Sequence, residues 1–203
     1  MKSFTDGLDR ENSYFKIVVV GTSLGGSNAL RILLSGIPKG FPVPIAIAQH
    51  RHPESENILN NFLQQYSILP IKEAEDKEAI VSERIYLAPA NYHLLIEAND
   101  SFALSTEAPV FYARPSIDVL FESASDAYAQ KVIGVVLTGA NHDGAQGLAK
   151  IKVHGGLTIV QEPTTAASRT MPTAATDAVA VDYVLPLEEI APLLVNICRS
   201  VFR

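Results

Sequence analysis

The chain has 203 residues, 47% hydrophobic and 19% charged, and its 16 Lys plus Arg against 22 Asp plus Glu give a formal net charge of −6. That composition excludes a disordered chain and argues against broad nucleic-acid binding, which draws on cations that neutralise phosphate. One cysteine excludes an intrachain disulfide and an all-cysteine zinc site, and no apolar run reaches the roughly 18 residues of a membrane-spanning helix.

Residues 1–14 are polar, hold no signal-peptide core and read as a loose tail before a folded part over 15–203, and a cytoplasmic location is expected. Phe15 to Val20 is a β-branched run stopped by Gly21, the pattern of a strand buried on both faces. Ser27 to Ser35 has apolar residues at helical spacing. The alternation then repeats, with a strand over Val43–Gln49, a helix over Glu54–Tyr66 and a strand over Glu83–Ala88. His93–Glu97 and Ser101–Ser105 flank Asn99-Asp100 and predict a hairpin. A helix follows over Ser116–Gln130, then a second buried strand over Val132–Leu137 and a helix over Gly144–Val153 closed by Gly155-Gly156. The chain ends with a strand over Leu157–Gln161, a helix over Pro172–Val179, a strand over Ala180–Leu185 and a helix over Leu187–Val201. Strands alternating with helices predict an α/β fold: a doubly wound, mainly parallel sheet with helices on both faces and an antiparallel hairpin addition.

In such a sheet, ligands sit beyond the carboxyl ends of the strands. Three polar residues fall there: Ser23 after the first strand, His50 after the second, and Asp143 after Val132–Leu137. Ser23 stands in Gly21-x-Ser23-x-Gly25 between a strand and a helix, the setting of a nucleophile elbow. A serine hydroxyl needs a base, and the base needs a group that fixes its tautomer; His50 and Asp143 suit those roles. The amides opening the next helix would favour an oxyanion. Each residue also has a plainer reading. Gly21-x-Ser23-x-x-Gly26 loosely matches a dinucleotide loop, although Gln49-His50 stands where a ribose-binding acid is needed. His50 could be a surface histidine, and Asp143 the N-cap of the helix at Gly144. His50, His52, His142 and Asp143 could hold a metal, but the Gly-Ser turn would then have no role. His93 and His154 read as surface or packing residues, and Cys198 as buried.

At these residues the sequence resembles the catalytic domain of the chemotaxis protein-glutamate methylesterases, the CheB family. The resemblance runs from about Ile17 to the C-terminus. It is carried by Gly21-Thr22-Ser23-Leu24-Gly25-Gly26, Gln49-His50, Ile85 to Pro89, Arg114 to Phe121, Leu137-Thr138-Gly139 with Asp143-Gly144-Ala145, and Met171-Pro172. It implies Ser23 as nucleophile, His50 as base and Asp143 as carboxylate. It also implies an oxyanion and substrate lining from Thr22, Leu24, Ala140, Asn141, Arg114 and Met171, and neither metal nor cofactor. The implied reaction hydrolyses γ-glutamyl methyl esters on the cytoplasmic helices of methyl-accepting chemoreceptors, releasing methanol, with deamidation of receptor glutamines as a second activity. Alternatives are a weak or inactive receptor-binding protein of the same fold and a small-molecule serine esterase.

Four positions depart from the family pattern. Leu24 replaces a usual Thr, Ala140-Asn141 a usual Met-Gly, Ala113 a frequent His, and Thr170 a frequent Gly. A backbone donor survives the change to Ala140, and Asn141 is expected to keep the loop path by tolerating positive φ. Arg114 is expected to steady the loops, to meet an acidic substrate, or to form an internal ion pair. The family usually carries a phosphoacceptor receiver domain ahead of this part. Fourteen residues cannot hold a domain of ~100 residues, so a stand-alone domain, with any gating supplied by a separate regulatory protein, is expected.

Overall fold

The structure is a computed structural model that describes residues 15–51 and 58–199. The predicted tail over 1–14, His52, and the outer parts of the helices predicted from Glu54 and up to Val201 lie outside the described residues.

Among the described residues, seven strands form one parallel sheet: β1 (Ile17–Thr22), β2 (Ile45–Gln49), β3 (Ile71–Glu73), β4 (Ile85–Leu87), β7 (Val132–Val136), β8 (Leu157–Gln161) and β9 (Tyr183–Leu185). Their order is β3-β4-β2-β1-β7-β8-β9. The remaining two, β5 (His93–Glu97) and β6 (Ser101–Ser105), are the expected hairpin addition and pair antiparallel in a two-stranded sheet beside the main one. Their three-residue loop ends on Asp100 at φ 63, the left-handed residue such loops require. The sequence reading missed β3, whose three residues are too few to show a period.

Successive residues of β1 explain the layering. Val18 and Val20 join one core with Leu30, Leu33 and Leu34 of α1 (Gly26–Ser35), Leu63 of α2 (Ile58–Gln64) and Ile190 and Leu194 of α6 (Leu187–Arg199). Ile17 and Val19 join the other, with Leu120 and Phe121 of α3 (Ile117–Tyr128), Leu148 and Ile151 of α4 (Ala145–Val153) and Met171 of α5 (Thr170–Ala178). Side chains alternate across a strand, so a continuous apolar run supplies both cores at once. Strands β2 and β7 flank β1 on either side, so the chain's direction across the sheet reverses at β1. That reversal opens a crevice beyond the strand ends, and the β1, β2 and β7 turns meet there.

Candidate active site

The turn after β1 is held by backbone contacts. Ser23 donates its N–H to the Thr138 carbonyl at 2.9 Å, and its own carbonyl accepts from Gly26 at 2.8 Å. Gly25, at φ 80, ends the turn and caps α1, and a Cβ there would lie 2.6 Å from Ala167 Cβ. Thr138 ties three segments: its Oγ1 donates to the Leu24 carbonyl and accepts from the Ser168 N–H, both at 2.9 Å. The His50 N–H donates to the Thr22 carbonyl at 3.1 Å, so the ends of β1 and β2 stay paired up to the site. Ser23 and His50 line one open cavity of about 410 Å³ with Leu24, Gly26 and Asn28. Among the described residues, Ser23 Oγ makes no hydrogen bond, and neither do the backbone amides of Leu24 and Ala140.

His50 Nε2 lies 2.7 Å from Asp143 Oδ2. Asp143 is wholly buried and fully bonded. Its Oδ2 also accepts from the Ile117 N–H at 2.7 Å, and its Oδ1 from Ser116 Oγ and the Asp118 N–H, each at 2.9 Å. These amides open α3, so the carboxylate sits at the positive end of a twelve-residue helix. Burial alone would push Asp143 up, but the His50 bond and the α3 amides overcome it and hold the carboxyl below the usual range. An ionised carboxylate has about four acceptor positions. All four face donors here, so Nε2 of His50 points a proton at Asp143 and Nδ1 is turned away from it.

Asp118 completes a reciprocal arrangement. Its Oδ1 accepts from the Gly144 N–H at 2.9 Å and the Gly147 N–H at 2.7 Å, capping α4, while Asp143, just ahead of α4, caps α3. The plainer reading of Asp143 as the cap of its own helix is therefore corrected: α4 has Gly144 at that position and no side-chain cap there. Burial, with the Asp143 charge beside it, pushes Asp118 up to about 6 against the pull of the two amides. Gly21 makes room for this packing, since a Cβ there would sit 2.2 Å from Ile117 Cγ2. His93, expected at the surface or in packing, is buried; its Nδ1 accepts from the Ser116 N–H at 3.1 Å and its Nε2 donates to the Ala108 carbonyl.

The remaining residues of the expected lining divide. Thr22 is fully buried, with Oγ1 donating to the Thr138 carbonyl at 2.8 Å, and Met171 is fully buried against Gly139. Both build the turns from beneath and neither faces the cavity, because the strand end and the tight Gly139 turn close over them. Leu24 and Ala140 are exposed. Asn141 does not adopt positive φ; the loop follows its path without it, and the side chain is used instead. Asn141 Oδ1 accepts from the Asp143 N–H at 3.2 Å, and Nδ2 lies 3.3 Å from His50 Nδ1. Arg114 has no acidic partner among the described residues; its Nη1 donates to the carbonyls of Thr106 and Glu107 at 2.7 and 3.0 Å. It lines a second cavity of about 560 Å³ with His50, Arg51, Asn141, Phe111 and Tyr112. Sequence reasoning gave no site role to Ser116 or Asp118. Only Ser116, three residues ahead of Val119 at a helix start, carried a local signal, that of an N-cap. No group of three or more potential ligands able to hold a metal occurs among the described residues.

Comparison with known proteins gives a consistent result. The family model described as CheB methylesterase matches residues 18–194. A Leptospira interrogans protein with the provisional name protein-glutamate methylesterase/protein-glutamine glutaminase is 50% identical over 186 residues, 92% of this chain and 96% of its own length. A Clostridium acetobutylicum protein of the same name is 35% identical over 92% of this chain, which spans only 54% of that longer relative. The crystal structure of the Thermotoga maritima CheB methylesterase catalytic domain superposes with a TM-score of 0.87 at 35% identity, over 90% of this chain and 98% of the other.

Proposed function

We propose the following function for this chain, which belongs to the CheB methylesterase family: it hydrolyses γ-glutamyl methyl esters of cytoplasmic chemoreceptor helices, and deamidates receptor glutamines at the same site. His50 Nδ1 takes the proton of Ser23 as Oγ attacks the ester carbonyl. The amides of Leu24 and Ala140 receive the oxyanion. His50 returns the proton to the departing methanol, and a water deprotonated by the same nitrogen then frees the glutamate. Asp143 keeps Nε2 protonated and gives the transient imidazolium its counter-charge. An amide substrate follows the same acyl transfer with ammonia leaving, so one site serves both reactions.

The observation that carries this reading is the 2.7 Å bond from His50 to the saturated Asp143 carboxylate, beside the turn that holds Ser23. The substrate class comes from the family. Purified protein added to membranes bearing methylated chemoreceptors is expected to release methanol, and Ser23→Ala to release none above background. Full release by Ser23→Ala would overturn the mechanism, and no release by the native chain would overturn the activity.

A further inference from the structure

We infer that Asn141 is a clasp on the proposed general base: its side-chain amide occupies His50 Nδ1 in the resting site and holds that nitrogen bare and away from Ser23. The inference rests on the assignment of His50 as base and goes beyond it.

The orientation of the amide is fixed at both ends. Asn141 Oδ1 accepts from the Asp143 N–H at 3.2 Å. The NH2 group is thereby turned toward His50 Nδ1, 3.3 Å away. Flipping the amide would set NH2 against a backbone N–H and a carbonyl against the Nδ1 lone pair, losing both contacts. The ring is fixed from its other side by Asp143, so Nδ1 has one lone pair and Asn141 faces it. Ser23 Oγ lines the same cavity as His50 and makes no hydrogen bond among the described residues. Removing the serine proton therefore requires Nδ1 to exchange the Asn141 amide for Ser23 Oγ.

A contact of 3.3 Å is long for a hydrogen bond, so the clasp is weak enough to be displaced by an arriving substrate. Its place in the loop suits that displacement. Asn141 directly follows Ala140, an exposed residue whose backbone N–H is the proposed oxyanion donor, so a carbonyl reaching that amide arrives one residue from the clasp.

The test compares Asn141→Ala and Asn141→Asp with the native chain on a peptide carrying a glutamate γ-methyl ester. Asn141→Ala is expected to raise kcat/KM about twofold, the lower end of what one neutral hydrogen bond is worth. Among the described residues, the other charged groups near the ring are Asp143 on Nε2, Asp118 behind it, and Arg51 and Arg114 in the adjoining cavity. All four are unchanged in the variant. Asn141→Asp sets a carboxylate oxygen against Nδ1, holds a proton there, and is expected to lower the neutral-pH rate at least tenfold, by the cost of breaking a charge-assisted bond. Nitrogen-15 histidine spectra of the native chain should show His50 protonated at Nε2 and bare at Nδ1. An Asn141→Ala rate at or below the native one, or a proton found on Nδ1, overturns the clasp. Ser23→Ala separates the two readings. If it is inactive while the Asn141 variants leave the rate unchanged, the clasp alone fails. If it stays active, the assignment of the base fails with it.

Discussion

Asp143 accepts from four donors, two of them backbone amides that cannot turn away. Asp143→Asn would force an NH2 group against at least one of them and break the hold on the His50 tautomer. The expected result is a fall in methanol release of about 10³-fold or more, as loss of the orienting carboxylate does elsewhere, together with a lower melting temperature. Retention of most of the rate would show that His50 needs no partner. Ser23, His50 and Asp143 were legible as a group because each follows a strand, and parallel strands deliver their ends to one edge. The residues that saturate Asp143 were not. Ser116 and Asp118 lie more than twenty residues from it in sequence, and nothing local announces that α3 will point its first amides at the β7 loop. Asn141 shows a different limit: the sequence suggested a backbone tolerance, whereas the structure uses its side chain on both members of the His50–Asp143 pair.

Helix starts set the site at the scale of the elements. Ser116 caps α3 by accepting from Val119 and donates to Asp143 at the same time. Ser116→Ala removes both, and is expected to lower stability by about 1 kcal/mol, typical of a lost N-cap, and to reduce the rate through a loosened Asp143. Urea unfolding read beside methanol release checks both; unchanged values in each would sever α3 from the site. Gly25 governs the other helix start. An alanine there would meet Ala167 Cβ at 2.6 Å and occupy a left-handed backbone, costing about 1–2 kcal/mol for the backbone alone. The long buried strands and the α3 and α6 periodicities were readable from pattern. The hairpin was readable too, but not what it packs on, because the residues that decide this lie on another element: the β5–β6 pair packs on α3, with the Ile96 N–H donating to Ser123 Oγ, and Leu94, Ile96 and Phe102 in the core they share.

Charge burial couples the site to the stability of the whole molecule. The Asp118 carboxyl, pushed up to about 6, favours the fold fully below the ordinary carboxylate value of 3.8 and loses that contribution as pH rises through about 6. Asp143 has the opposite sign: its contribution is full above the ordinary value and is lost as pH falls through its lowered one. Asp118→Asn keeps the acceptor for Gly144 and Gly147 without the buried charge. Between pH 4 and 8 it is expected to gain on the order of 3 kcal/mol relative to the native chain, measured as urea midpoints at the two pH values. An equal response in both proteins would show that Asp118 is not ionised at a cost. Cys198, buried in the core of α6 with its thiol pushed up to about 12, lies outside this network, and Cys198→Ala should leave methanol release unchanged.

The account turns on a single nucleophile, and its most direct test is the site of covalent capture by a fluorophosphonate. Mass spectrometry of the digested native chain should find the adduct on Ser23, with labelling lost in both Ser23→Ala and His50→Ala. An adduct on any other residue, or labelling of Ser23 that persists undiminished without His50, would contradict it.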